Sequence, residues 1–171
     1  MKYLHAGLLT LMFVIMGNVY AQELGDLETI RTLAAEGDRA TALKKLDEII
    51  AADKDDLQAR FLKGLLFLED GDTIAAKEVF AEIARLFPRL PEAFNNLAAI
   101  YAENGEYEEA RQALLSAIAN APNYAAAQSN LGDLYIKLAA DAYREAADLD
   151  PLDPGAGAKL KLLEQAFAPG G

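Results

Sequence analysis

Any nucleophilic or metal chemistry in this chain must be done with one histidine and no cysteine. The 171 residues contain only His5, and the serines are Ser116 and Ser129. Ser-His-Asp and Cys-His catalysis need an imidazole held against a nucleophile, and zinc and haem sites draw chiefly on His and Cys. Two acidic runs remain. Asp53-Lys54-Asp55-Asp56 opens like a calcium loop, but Leu57 and Ala59 stand where an oxygen ligand and a chain-turning glycine should follow. A solvated turn is the better reading. Glu106-Tyr107-Glu108-Glu109 places carboxylates on the first turn of a helix, where the macrodipole favours them, so capping accounts for it. No phosphate loop is present. The expectation is no catalytic, cofactor-binding or metal-binding residue, and no enzyme. What remains is recognition, and the groups best suited to it are carboxamides such as Asn96 and Asn130, which donate and accept at once.

Those carboxamides must be positioned by helices. In Pro91–Pro122, Phe94, Leu97, Ala98 and Tyr101 recur at i, i+3, i+4 and i+7, the core-facing stripe of an amphipathic helix. Asn104-Gly105 breaks it, because glycine takes the left-handed conformation that ends a helix. Ala110, Leu114, Ala117 and Ile118 restart the stripe, and Pro122 stops it. The unit recurs every 34 residues: Gly37, Gly71 and Gly105; Ala42, Ala76 and Ala110; Leu46, Phe80 and Leu114; Leu33, Phe67 and Tyr101. Pro88 and Pro122 close two of the units, with Lys54 at that place in the first. The pattern F-x2-L-A-x2-Y, A-x3-L, P resembles the tetratricopeptide repeat, with Phe94 where that family prefers Trp and Ala98 where it prefers Gly.

The resemblance implies an all-α fold, a right-handed superhelical solenoid of antiparallel helix pairs. Repeats at about 23–56, 57–90, 91–124 and 125–153 make up an array over 22–153, and 154–171 holds a linker, a capping helix and a tail. Asp26 is the expected N-cap of the first helix. Repeat two has Gly64 in the close-packing slot but Arg60 and Lys63 where Trp and Leu belong, which suggests a slightly rotated helix face. Repeat four is shortened. From Tyr101 to Ala110 is nine positions, whereas from Tyr135 to Ala139 is four. No Gly or Pro interrupts Asp133 to Asp150, so one long helix over about 124–149 is expected in place of a hairpin. Pro151–Gly157 reads as a linker and Ala158–Phe167 as the cap, with Leu160, Leu163 and Phe167 on its apolar face.

The resemblance also implies a concave groove lined by first helices. In this frame the partner-binding residues are Phe61, Leu62 and Leu65 from repeat two, Asn95, Asn96 and Ala99 from repeat three, and Asn130 and Asp133 from repeat four, with Lys137 beyond. A ladder of Asn side chains pins an extended peptide backbone whatever its sequence. Ala126 and Asn130 stand where the carboxylate-gripping members of the family carry Lys and Arg, so an apolar or basic segment is the expected ligand.

Residues 1–21 read as an export signal: Lys2, the apolar run Ala6–Met16, and Val19-Tyr20-Ala21 as a small-x-small cleavage site. Cleavage after Ala21 would remove the only histidine and take the net charge from −11 to −12. If uncleaved, the segment is a membrane anchor. With this charge, nucleic acid and anionic membranes are poor partners. The functions these observations leave are a periplasmic scaffold or adaptor in envelope assembly or protein maturation, a non-selective holdase and, remotely, an enzyme. Self-association through about 124–149 is a further expectation, because Tyr135, Leu138, Tyr143 and Leu149 form an apolar strip that needs cover.

Overall fold

A computed structural model describes residues 26–152 and 154–166. The expected signal segment 1–21 with its cleavage site, and Phe167 with the tail to Gly171, lie outside the described residues. Among these residues the chain is helical throughout: α1 (26–35), α2 (Arg39–Ala52), α3 (Leu57–Glu69), α4 (Thr73–Leu86), α5 (Pro91–Glu103), α6 (Tyr107–Asn120), α7 (Ala125–Leu149) and α8 (Pro154–Ala166). The chain forms two compact units, the first ending at Val79 and the second beginning at Phe80.

The turns follow from three glycines. Gly37, Gly71 and Gly105 have φ of 94, 74 and 79°, a region that costs a side-chain-bearing residue about 1–2 kcal/mol. With glycine there, the next residue turns its N–H back onto the preceding helix. Asp38 donates to the Leu33 carbonyl, Asp72 to Phe67 and Glu106 to Tyr101, at 2.8–2.9 Å. The next helix then begins under an aspartate cap: Asp38 accepts from Thr41 N–H and Asp72 from Ala75 N–H. Asp56 caps α3 in the same way through Ala59 N–H, which gives the Asp-rich turn a structural role. Asp26, expected to cap α1, already lies inside the helix.

In the first unit, Leu27, Ile30, Ala34, Ala42, Leu46, Ala59, Leu62 and Leu66 form one core cluster. The two departures of repeat two explain themselves. Arg60 is buried, its stem filling the Trp slot while Nε donates to the Lys54 carbonyl in the preceding turn at 2.9 Å. Lys63 reaches across to Asp47 of α2 at 2.6 Å and lies over the Phe67 ring.

In the second unit α5 packs on α6, and α7 packs on both. Ala98, Ala110, Leu114 and Ala117 are all buried, the small residues letting the backbones approach. On the first turn of α6, Glu108 accepts from Arg111 at 2.6 and 3.0 Å and from Gln112 at 3.0 Å. The Arg111 hydrogen bonds, then that of Gln112, hold its carboxyl at about 2, below the ordinary 4.5. A depressed folded-state value means the interaction is present above about 4.5 and is lost as pH falls through about 2. The group is solvent-exposed, so the stability involved is small. A carboxyl NMR titration should give Glu108 a midpoint well below the ordinary 4.5; a midpoint above 4 would mean the cluster does not persist in solution.

Helix α7 runs unbroken for 25 residues, the fused helix expected from the shortened fourth repeat. The cap differs from expectation at its start. Pro154 begins α8, so the linker is shorter than 151–157. A proline at the first helical position has φ preset and no N–H to leave orphaned, which offsets the glycines behind it. α8 folds back on α7, with Lys159 over the Tyr143 ring at 5.2 Å and Arg144 3.7 Å from Glu164. No described helix is long and apolar enough to cross a membrane.

Candidate functional site

The residues expected to line the groove fall on both units. In the first, Leu62 is 5% exposed and belongs to the core cluster, so it is not available to a ligand. Its neighbours Phe61 and Leu65 are half-buried. Successive helix positions differ by about 100°, and the burial of Ala59, Leu62 and Leu66 turns Leu62 inward.

In the second unit, α5 and α7 bound a cleft of about 370 Å³. Ala98, Ala99 and Ala102 come from α5, Tyr107 and Leu114 from α6, and Asn130, Asp133, Leu134 and Lys137 from α7. Three expected residues, Ala99, Asn130 and Asp133, are brought together here. The small side chains on α5 create the space, and Leu114 and Leu134 give it an apolar floor.

The three expected carboxamides are all engaged within the chain. Asn130 Nδ2 donates to Asn95 Oδ1 at 2.9 Å, while Asn96 Nδ2 donates to the Glu92 carbonyl of its own helix at 2.8 Å. The ladder therefore runs from Asn95 to Asn130, and Asn96 is spent locally. The pair leaves the Asn95 amide hydrogens and the Asn130 carbonyl oxygen to serve a ligand, one donor group and one acceptor side by side. That combination matches a peptide unit of an extended chain.

The far end of the cleft is charged and partly neutralised. Lys137 Nζ lies 5.8 Å from the Tyr107 ring centroid and 2.9 Å from Asp141 Oδ1. The Asp141 hydrogen bond raises the Lys137 pKa, and the same bond lowers that of Asp141. Lys137 therefore stays cationic but is already engaged, while Asp133 is exposed at the rim. Tyr107, assigned from the sequence to a capping run, is a wall of the cleft. Its place one residue after the Gly105-Glu106 turn, opposite the next repeat's first helix, was the available sign. Among the described residues no His, Cys, Asp and Glu cluster could hold a metal ion.

Comparison with known proteins agrees with the architecture. Family models described as tetratricopeptide repeat match residues 67–134 and 27–91. A crystal structure of MamA is similar at a TM-score of 0.58 and 22% identity, over 79% of this chain and 82% of that one. MamA from Desulfovibrio magneticus RS-1 is similar at 0.58 and 20%, over 84% and 76%. The second TPR domain of human RPAP3, solved with an HSP70 peptide, is similar at 0.57 and 17%, over 64% and 92%. With the 34-residue frame, the three glycine turns and the paired helices, the chain belongs to the tetratricopeptide repeat family through the repeats that span 27–134.

Proposed function

We propose that the cleft between α5 and α7 takes an extended segment of a partner protein and that the chain acts as a binding scaffold, with no catalytic role. The observation that carries this reading is the Asn95–Asn130 pair at the edge of an apolar cleft, with one donor group and one acceptor unspent. The cleft suits a small apolar side chain, and Asp133 with the acidic chain favours a basic neighbour. The RPAP3 domain, solved with a peptide, supports the same use of the fold. We place the protein in the periplasm of a bacterium, in envelope assembly or protein maturation, on the strength of the export-type segment 1–21. Protein recovered from its host should then begin at Gln22; an intact Met1 terminus would make it an anchored protein instead.

The binding test is photo-crosslinking in the native host from position 99, with Asn95→Ala plus Asn130→Ala as the control. One dominant adduct, lost in the control, supports the scaffold and names the partner. A smear over many exported polypeptides favours a non-selective holdase, and no adduct refutes the cleft as a binding site.

A further inference from the structure

Repeat four contains both halves of a helix–helix interface that its own geometry prevents from closing. On its first-helix side, Gln128, Gly132 and Tyr135 stand 34 residues after Phe94, Ala98 and Tyr101. In repeat three the first helix packs on the second, Ala98 is 1% exposed, and Phe94 and Tyr101 are half-buried. In repeat four Gln128, Gly132 and Tyr135 are all exposed, Tyr135 at 48%. A Cβ placed on Gly132 would meet nothing within 4 Å. A glycine inside a helix costs about 1 kcal/mol against alanine, and here it stands in the slot that admits a close neighbour, with none present.

The matching second-helix residues lie on the same helix. Ala139, Tyr143 and Ala146 precede Pro151 by 12, 8 and 5 positions, as Ala110, Leu114 and Ala117 precede Pro122. Those three of α6 are buried, whereas Ala146 is exposed and Ala139 and Tyr143 only half-buried. Because α7 is continuous, its two halves point away from each other and cannot meet within one chain.

We propose that two copies of this chain pair through antiparallel α7 helices, each placing its 139–149 half in the vacant second-helix seat of the other. Shortening a hinge until a hairpin cannot reverse is a known route to exchanging an identical element between protomers. The register closes on itself. In an antiparallel register, Tyr135 meets the partner's Ala139, Gly132 meets the partner's Tyr143 and Gln128 meets the partner's Ala146. All three pairs are centred near Lys137, so a single two-fold axis forms both seats at once. The Lys137 side chain itself lies on the opposite side of α7, in the cleft beside Tyr107, so no charge enters the paired face there. α8 keeps its place, since it follows Pro151 and packs on the preceding helix as α7 does after Pro122. This gives a definite form to the self-association expected over 124–149 and assumes nothing about the α5–α7 cleft.

The chain has no cysteine, so a disulfide can report the register. In one straight helix positions 128 and 146 are about 27 Å apart, far beyond the reach of a disulfide. Gln128→Cys with Ala146→Cys should therefore give a covalent dimer on oxidation, while either single variant should not. Light scattering on the unmodified protein should give twice the mass of one chain. Gly132→Leu should preserve helicity, because the site is open within one chain, yet weaken the dimer about a hundredfold by filling both seats. Inserting Asn-Gly-Glu-Tyr-Glu after Lys137, which restores the nine-position spacing, should give a monomer. A strictly monomeric mass, no covalent dimer from the double variant, or a dimer indifferent to both Gly132→Leu and the insertion would overturn the pairing.

Discussion

Phe80→Ala should lower stability by about 3–5 kcal/mol, the cost of deleting a large buried side chain and leaving a cavity. Among the described residues Phe80 is the largest fully buried side chain, and it occupies in repeat two the slot of Leu46 and Leu114. Whole domains are stable by about 5–15 kcal/mol, so the loss removes much of what holds the array folded. In urea, with a slope of about 1–3 kcal/mol/M, the midpoint should fall by about 2 M. Phe80→Leu restores the residue type found in the equivalent slots and should cost under about 1.5 kcal/mol. Equal losses from both variants would mean the slot does not respond to volume and that the repeat frame is misplaced at this position.

Ala99→Arg should weaken partner binding at least about thirtyfold while leaving the fold intact. Ala99 is exposed on the cleft-facing side of α5, so a long side chain there has room to extend and displaces no core atom. Arginine is a good helix former, and surface changes of this kind stay within about 0.5 kcal/mol. In the cleft the same side chain takes up the volume a ligand would use. Losing a central contact typically costs at least about 2 kcal/mol, or about thirtyfold in affinity. Affinity measured against the crosslinked partner by calorimetry, beside a thermal melt, separates the two effects. An unchanged affinity would place the partner elsewhere on the chain.

Much of the fold could be read from the sequence because each repeat carries its own punctuation. Glycines 37, 71 and 105 fixed the turns to the residue, and the missing five positions after Tyr135 announced the continuous α7. The start of α8 was misread because Pro-Gly-Ala-Gly resembles a linker, whereas packing against α7 holds these weak helix formers in place. The bond between Asn95 and Asn130 was not legible for a different reason. A 34-residue period identifies equivalent positions, but neighbouring repeats do not meet at equivalent positions. Asn130 lies 35 residues from the Asn95 it bonds, and the one-residue offset is set by how α7 lies against α5. Leu62 shows the same limit: Phe61, Leu62 and Leu65 are all apolar, and only the packed core shows which of them faces inward.

The shortened turn after Tyr135 also bears on a question that the repeats themselves leave open. A stack whose units touch only their neighbours has no internal measure of length, since every finished unit offers the surface on which another could be laid. In this chain the fourth unit never finishes. Its second half continues straight ahead, so within one chain the helix that follows packs on that continuation and not on a closed fourth hairpin. A five-residue omission thus serves as a stop codon written in geometry: it sets the number of complete repeats without any residue dedicated to counting them.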